Sequence, residues 1–131
     1  MIGLDTNILV RYLVKDDPEQ TRLAVNLIYS LTPAEPGWVA QATMLELVWA
    51  LTRIYRVKRN QAVAILDTLL ASRDIVIEQD EIARASVRLY RAHNIDFADC
   101  LISCGGKAAG CSKIMTFDRK AARDAGMELV D

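Results

Sequence analysis

Ile2-Gly3-Leu4-Asp5-Thr6-Asn7-Ile8-Leu9-Val10 is the stretch from which the rest of the chain is read. A short apolar run ends on a carboxylate and passes at once into a helical pattern, which predicts a strand over 2–4 and a helix over roughly 7–14. The same order returns at Ile114-Met115-Thr116-Phe117-Asp118, read as a strand over 114–117 and a short helix to about 125. Between them, Pro18 suits the first turn of a helix in which Leu23, Leu27 and Leu31 recur at intervals of four. Pro33, Pro36 and Gly37 end it before a strand at 38–39. Helices are predicted over 41–55, 59–72, 80–92 and 96–109, the β-branched run 75–77 is a strand, and 127–130 is a fifth. Strands alternating with helices predict the α/β class: a three-layer α/β/α sandwich with a central, mostly parallel sheet of four to five strands. With no repeat or linker, 1–131 reads as a single domain.

Hydrophobic residues at 52% and charged residues at 25% exclude a disordered chain. Sixteen basic against seventeen acidic side chains, net −1, exclude attachment to nucleic acid by bulk charge but leave room for local basic patches. Cys100, Cys104 and Cys111 are odd in number and read as free thiols in a reducing compartment. The N-terminal segment lacks an apolar leader core, and no apolar run approaches the ~18 residues of a membrane span. A soluble, cytoplasmic protein without a membrane partner is expected.

Asp5 and Asp118 stand where a strand hands over to a helix, the edge at which open parallel sheets place their ligands. Asp99 falls in the first turn of the helix beginning near Asp96, and Glu46 lies mid-helix. Each has a plain structural alternative. Asp5, Asp96 and Asp118 suit helix N-caps, and Asp96 with Asp99 resembles a capping box. Capping and metal binding are compatible, because different lone pairs of one carboxylate serve each. Glu46 has Ala42, Thr43, Trp49 and Ala50 as helical neighbours and no cation among them. A carboxylate drawn into such surroundings needs a hydrogen-bonding or metal partner, although Asp67, with similar flanks, shows that this pattern is not specific.

Asp5-Thr6-Asn7-Ile8-Leu9, the lone Glu46, Asp96-Phe97-Ala98-Asp99-Cys100-Leu101-Ile102 and Thr116-Phe117-Asp118 together resemble the motif series of the PIN-domain ribonucleases. The likeness is to the VapC-type toxins of toxin–antitoxin pairs, and it extends over essentially the whole chain in the order of elements. It implies a PIN-like fold and a metal-dependent endoribonuclease in which Asp5, Glu46, Asp99 and Asp118 are the catalytic, metal-holding acids. By the same resemblance, Asn7 and Thr116 line the pocket, with Asp96 beside it as an outer acid or cap. Mg²⁺, with Mn²⁺ as substitute, is the implied cofactor, as one or two ions. Where some relatives carry a further acid two residues after the last Asp, this chain has Lys120, which leaves the second ion open. A VapB-like antitoxin and a homodimer are the implied partners, with RNA as substrate.

Phosphodiester hydrolysis needs an activated water and relief of growing negative charge, which a divalent ion with oxygen ligands supplies. Four carboxylates in one pocket without metal would raise some of one another's pKa values. RNA must also be drawn past the acids by cations. Arg11, Arg119, Lys120 and Arg123 are tied to the motifs by sequence. Arg53, Arg56, Lys58 and Arg59 form a basic turn, and Arg84, Arg88 and Arg91 a helical stripe, for which solvated faces with local ion pairs are the competing reading. His93, at a helix end, reads as a residue facing the helix dipole. Gly105-Gly106 reads as close packing or a kink. The apolar run 44–51 exceeds what one helix face buries and suggests cover by a second copy or a partner. The competing readings are a non-catalytic RNA-binding or interaction module and an α/β phosphohydrolase. The latter would be favoured by Asp-x-Asp at the first strand, where this chain has Asp5-Thr6-Asn7.

Overall fold

β1 (Ile2–Gly3), β2 (Gly37–Val39) and β3 (Ile75–Ile77) run parallel in that order, with Ile2 opposite Gly37 and Val39 opposite Ile77. Parallel neighbours need long crossovers. The first is made by α1 (Thr6–Val14) and α2 (Pro18–Ser30), the second by α3 (Gln41–Trp49) and α4 (Arg59–Ala71). Asp17 starts α2 by accepting the Gln20 N–H at 3.0 Å, and Pro18 takes the first helical position, where a missing N–H costs nothing. Leu9, Val39, Met44, Leu47, Leu51 and Leu66 are almost wholly buried and form the core beneath this sheet. A Cβ at Gly37 would come within 2.7 Å of Leu4 Cδ1, so glycine lets β2 lie here without displacing the ends of Leu4 and Leu31. The structure, a computed structural model, describes residues 1–131. They divide into two compact units, and the elements above belong to the first, 1–78.

The predicted single helix over 41–55 is interrupted. The α-helix ends at Trp49 and a π-helical turn, Ala50–Ile54, follows, closed by Tyr55 N–H donating to the Ala50 carbonyl at 3.1 Å. The Tyr55 hydroxyl donates to Asp16 Oδ2 at 3.0 Å and accepts from Arg11 Nη1 at 3.2 Å, so the wider turn ends where Tyr55 meets the first crossover. A single widened turn at the end of a helix is too short for the apolar pattern to disclose.

The second unit, 79–131, contains α5 (Asp80–Ala92), α6 (Phe97–Ala108), β4 (Met115–Thr116), α7 (Arg119–Asp124) and β5 (Glu128–Leu129). Tyr90 and Phe97 pack edge to face, centroids 5.4 Å apart, where α5 turns into α6. The buried hydroxyls are satisfied: Ser86 donates to Ile82 and Cys100 carbonyls, and Ser103 to the Ala125 carbonyl at 2.5 Å. A Cβ on Gly106 would lie 2.5 Å from Ile114 Cδ1, whereas Gly105 has open space, so close packing applies to Gly106 alone. β4 and β5 are parallel, Met115 opposite Glu128.

The protein is thus α/β with five short strands at the expected places, parallel to their neighbours within each group. Hydrogen bonding groups them as three and two, β1-β2-β3 and β4-β5, where one central sheet of four to five is the sequence expectation. Strands of two or three residues make few ladder bonds each. All three cysteines are free, but only Cys100 is buried, while Cys111 is exposed. No helix is long and apolar enough to cross a membrane.

Candidate active site

In the first unit, Leu4 N–H donates to the Trp38 carbonyl at 2.8 Å, and the chain leaves the sheet at the next residue, Asp5. Asp5 is the N-cap of α1 by its extended backbone, but its exposed side chain makes no cap hydrogen bond. Thr6 follows, 9% exposed, and its hydroxyl donates to Glu46 Oε1 at 3.0 Å. That bond ties the first turn of α1 to the middle of α3 and orients the Glu46 carboxylate. The apolar flanks of Glu46 suggested a carboxylate drawn out of water; it is in fact exposed, because α3 buries Thr43, Met44, Leu47 and Val48 and leaves Ala42, Glu46 and Trp49 on the outer face. Most of the apolar run 44–51 is therefore covered by the chain itself, and Trp49, 58% exposed, is the large side chain left outside.

Asn7, exposed, stands at a groove of about 340 Å³ between α1 and α2, lined also by Ile8, Arg11, Gln20, Leu23, Ala24 and Leu27. Arg11 is committed within the protein. Its Nε donates to Gln20 Oε1 at 2.7 Å and its Nη1 to Asp16 Oδ1 at 3.1 Å and the Tyr55 hydroxyl at 3.2 Å. Such a clasp fixes α1 against the π-helical turn and is a structural duty that its position in the sequence does not announce.

In the second unit, Asp96 is the N-cap of α6 by backbone conformation, again without a side-chain cap bond. Asp99, one turn in, is half-buried, and its carboxyl is raised above the ordinary range by burial first, then by the charges of Asp96 and Asp118. Asp118, at the end of β4, is a true cap: Oδ1 accepts the N–H groups of Lys120 at 2.8 Å and Ala121 at 3.1 Å. Both bonds fall on one oxygen, leaving Oδ2 outside them. Thr116 Oγ1 accepts the Asp118 N–H at 3.0 Å and so shapes the turn that presents this carboxylate. Arg119 and Lys120 are exposed; Arg123 is held by Asp124, Nε to Oδ1 at 3.1 Å and Nη2 to Oδ2 at 3.2 Å.

Three carboxylates were expected as caps, and only Asp118 caps with its side chain. Within neither unit do three or more His, Cys, Asp or Glu side chains form a group able to hold a metal ion by themselves. Asp5 and Glu46 lie in the first unit, Asp96, Asp99 and Asp118 in the second. Within each unit the candidate donors are of the kind that suits a hard cation. They are carboxylate oxygens with no thiolate or imidazole among them, and Mg²⁺ takes one or two carboxylates directly and keeps waters for the rest. Two functional residues escape a reading of the sequence. Thr6 is signalled only by its place beside Asp5, and Tyr55 by nothing local, since its partners are 39 and 44 residues away.

The family model of the PIN domain matches residues 2–126, a span that contains Asp5, Glu46, Asp96, Asp99 and Asp118. The chain belongs to the PIN domain family. Among curated proteins, this PIN domain is similar to the VapC ribonuclease of Aquifex aeolicus (strain VF5), 24% identical over 117 residues that cover 89% of this chain and 87% of the relative. The motif series quoted from the sequence thus lies inside a PIN domain.

Proposed function

We propose that this PIN domain is a metal-dependent endoribonuclease, the toxin of a toxin–antitoxin pair, with Asp5, Glu46, Asp99 and Asp118 as its catalytic acids and Asn7, Thr116 and Asp96 in support. The observation that carries the reading is Asp99: every influence on its carboxyl raises its pKa, and two of the three are neighbouring carboxylates. Like charges held together at the cost of stability mark a functional site more often than a structural one. The family match and the VapC relative support ribonuclease chemistry over the phosphohydrolase and the non-catalytic module.

Mg²⁺ or Mn²⁺, when bound, supplies Lewis acidity and an acidified water. The chain's own contribution is placement. Thr6 holds Oε1 of Glu46, so Oε2 is the oxygen left to ligate. Asp118 gives Oδ1 to its helix and keeps Oδ2. Asp5, with no capping duty, offers both oxygens. Arg119 and Lys120 suit the RNA backbone, whereas Arg11 and Arg123 are engaged by Asp16 and Asp124 and have less to offer it.

The VapC relative supports a VapB-like antitoxin as partner and the cytoplasm, where RNA lies, as the working compartment; the three free thiols agree with it. The exposed Trp49 is our candidate for homodimer contact, and sedimentation of Trp49→Arg as a monomer would bear that out. One family description spans both units, which supports 1–131 acting as one functional domain. The test of activity is RNA cleavage by purified protein. Mg²⁺ or Mn²⁺ should support it, excess chelator should abolish it, and Asp5→Asn should lower it by about 10²-fold or more. Cleavage that survives the chelator would refute the metal-dependent reading.

A further inference from the structure

We propose that Ser103 is a positioning residue which, by holding the last carbonyl of α7, fixes where Asp118 stands relative to Asp99 and so how strongly the two hold a divalent ion. The inference rests on the ribonuclease reading above. Ser103 lies inside α6 and is wholly buried. A serine within a helix commonly turns its hydroxyl back on the carbonyl four residues earlier, as Ser86 does with Ile82 at 2.7 Å. The Ser103 hydroxyl reaches out of its helix and donates to the Ala125 carbonyl at 2.5 Å, 22 residues further on. Ala125 is the C-cap of α7 and 2% exposed, and Gly126 then turns the chain at φ +73°. The final carbonyls of a helix have no partner within it. This one is shielded from water as well, so it depends on Ser103.

The bond bears on the site because of the faces it joins. Asp99 and Ser103 are one turn apart on α6 and share a side of it. Asp118, Ala121 and Ala125 follow one another at helical spacing and likewise share a side of α7. Asp118 caps one end of this short helix, and Ser103 holds the other. The buried side chains between them, Ala121 and Ala125, are single methyl groups that give little apolar grip. The carboxylate end is meanwhile under repulsion, since the charges of Asp96 and Asp118 both act on Asp99. A helix so lightly packed, with like charge facing its capped end, needs a directional tie, and the Ser103 hydroxyl supplies it. Groups that orient ligating carboxylates without touching the ion govern its affinity by about 10–100-fold.

The experiment measures Mn²⁺ affinity of the chelator-stripped full chain by electron paramagnetic resonance, alongside the thermal midpoint. Ser103→Ala should bind Mn²⁺ about tenfold more weakly than wild type. Ser86→Ala removes another buried hydroxyl of the same unit, one that bonds α5 and α6 and not α7. It should lose stability and keep wild-type affinity. Ser103→Thr retains the hydroxyl and should keep the affinity even where its added methyl lowers the midpoint. In an Asp118→Asn background, Ser103→Ala should cost no further affinity, because the serine acts through that carboxylate. Should Ser103→Ala fail to fold, Ser103→Cys, close in shape and a weak donor, should show the loss in its place. Wild-type affinity in the Ser103 variants, or an equal loss in Ser86→Ala, would overturn the inference and leave the acids in their roles. An Asp118→Asn protein that binds Mn²⁺ as wild type does would instead remove the metal-holding reading, and the inference with it.

Discussion

Because Oδ1 of Asp118 already accepts two backbone N–H groups of α7, capping and charge separate by substitution. Asn caps about as well as Asp, so Asp118→Asn should keep stability and lose cleavage. Asp118→Ala should lose cleavage and also about 1 kcal/mol of stability, read from the urea midpoint. Asp99 gives a pH test. Its folded pKa is raised, so protonation favours the folded state. The stabilising contribution is full below the unfolded carboxylate range and is lost as pH rises through the folded value. In chelator at neutral pH, Asp99→Asn should therefore melt above wild type, with the gap closing on acidification below the carboxylate range. A gap that widens in acid would mean that Asp99 is stabilised as an anion. Asp5 and Asp118 stand out in the sequence because they follow strand ends, and Asp96 and Asp99 because they open a helix, whereas Glu46, mid-helix, stands out only through the motif series. Their division of labour is not legible there, since which oxygen caps and which stays clear is decided by turn geometry.

The elements were more legible than their joins. β3 and α5 occupy the residues their patterns predict, and β1 and α2 differ by a residue at an end. The π-helical turn, the Arg11–Asp16–Tyr55 clasp and the grouping of strands depend on partners distant in sequence. Gly105 and Gly106 make the point on neighbouring residues of α6. With open space at its Cβ, Gly105→Ala should stabilise by about 0.5–1 kcal/mol through helix propensity. Gly106→Ala meets Ile114 and should destabilise by about 1–3 kcal/mol, both read as shifts in thermal midpoint. Like effects from the two would remove the packing role assigned to Gly106. Composition and periodicity report each helix singly, and the room beside it belongs to whatever packs there.

At the scale of the whole molecule, a net charge of −1 joins an acidic site to local cations, so RNA binding should rest on few residues and respond to salt. Asp99 and Asp118 belong to one unit, where the charge of Asp118 raises the Asp99 carboxyl, and the proposed function requires that the two act on one ion. Mn²⁺ affinity of wild type, Asp118→Asn, Asp99→Asn and the double variant measures this, as a thermodynamic cycle. We expect each single change to weaken binding at least tenfold and the double to be little worse than either alone, as for ligands of one ion. Strictly additive losses, or an affinity that either substitution leaves untouched, would contradict the account.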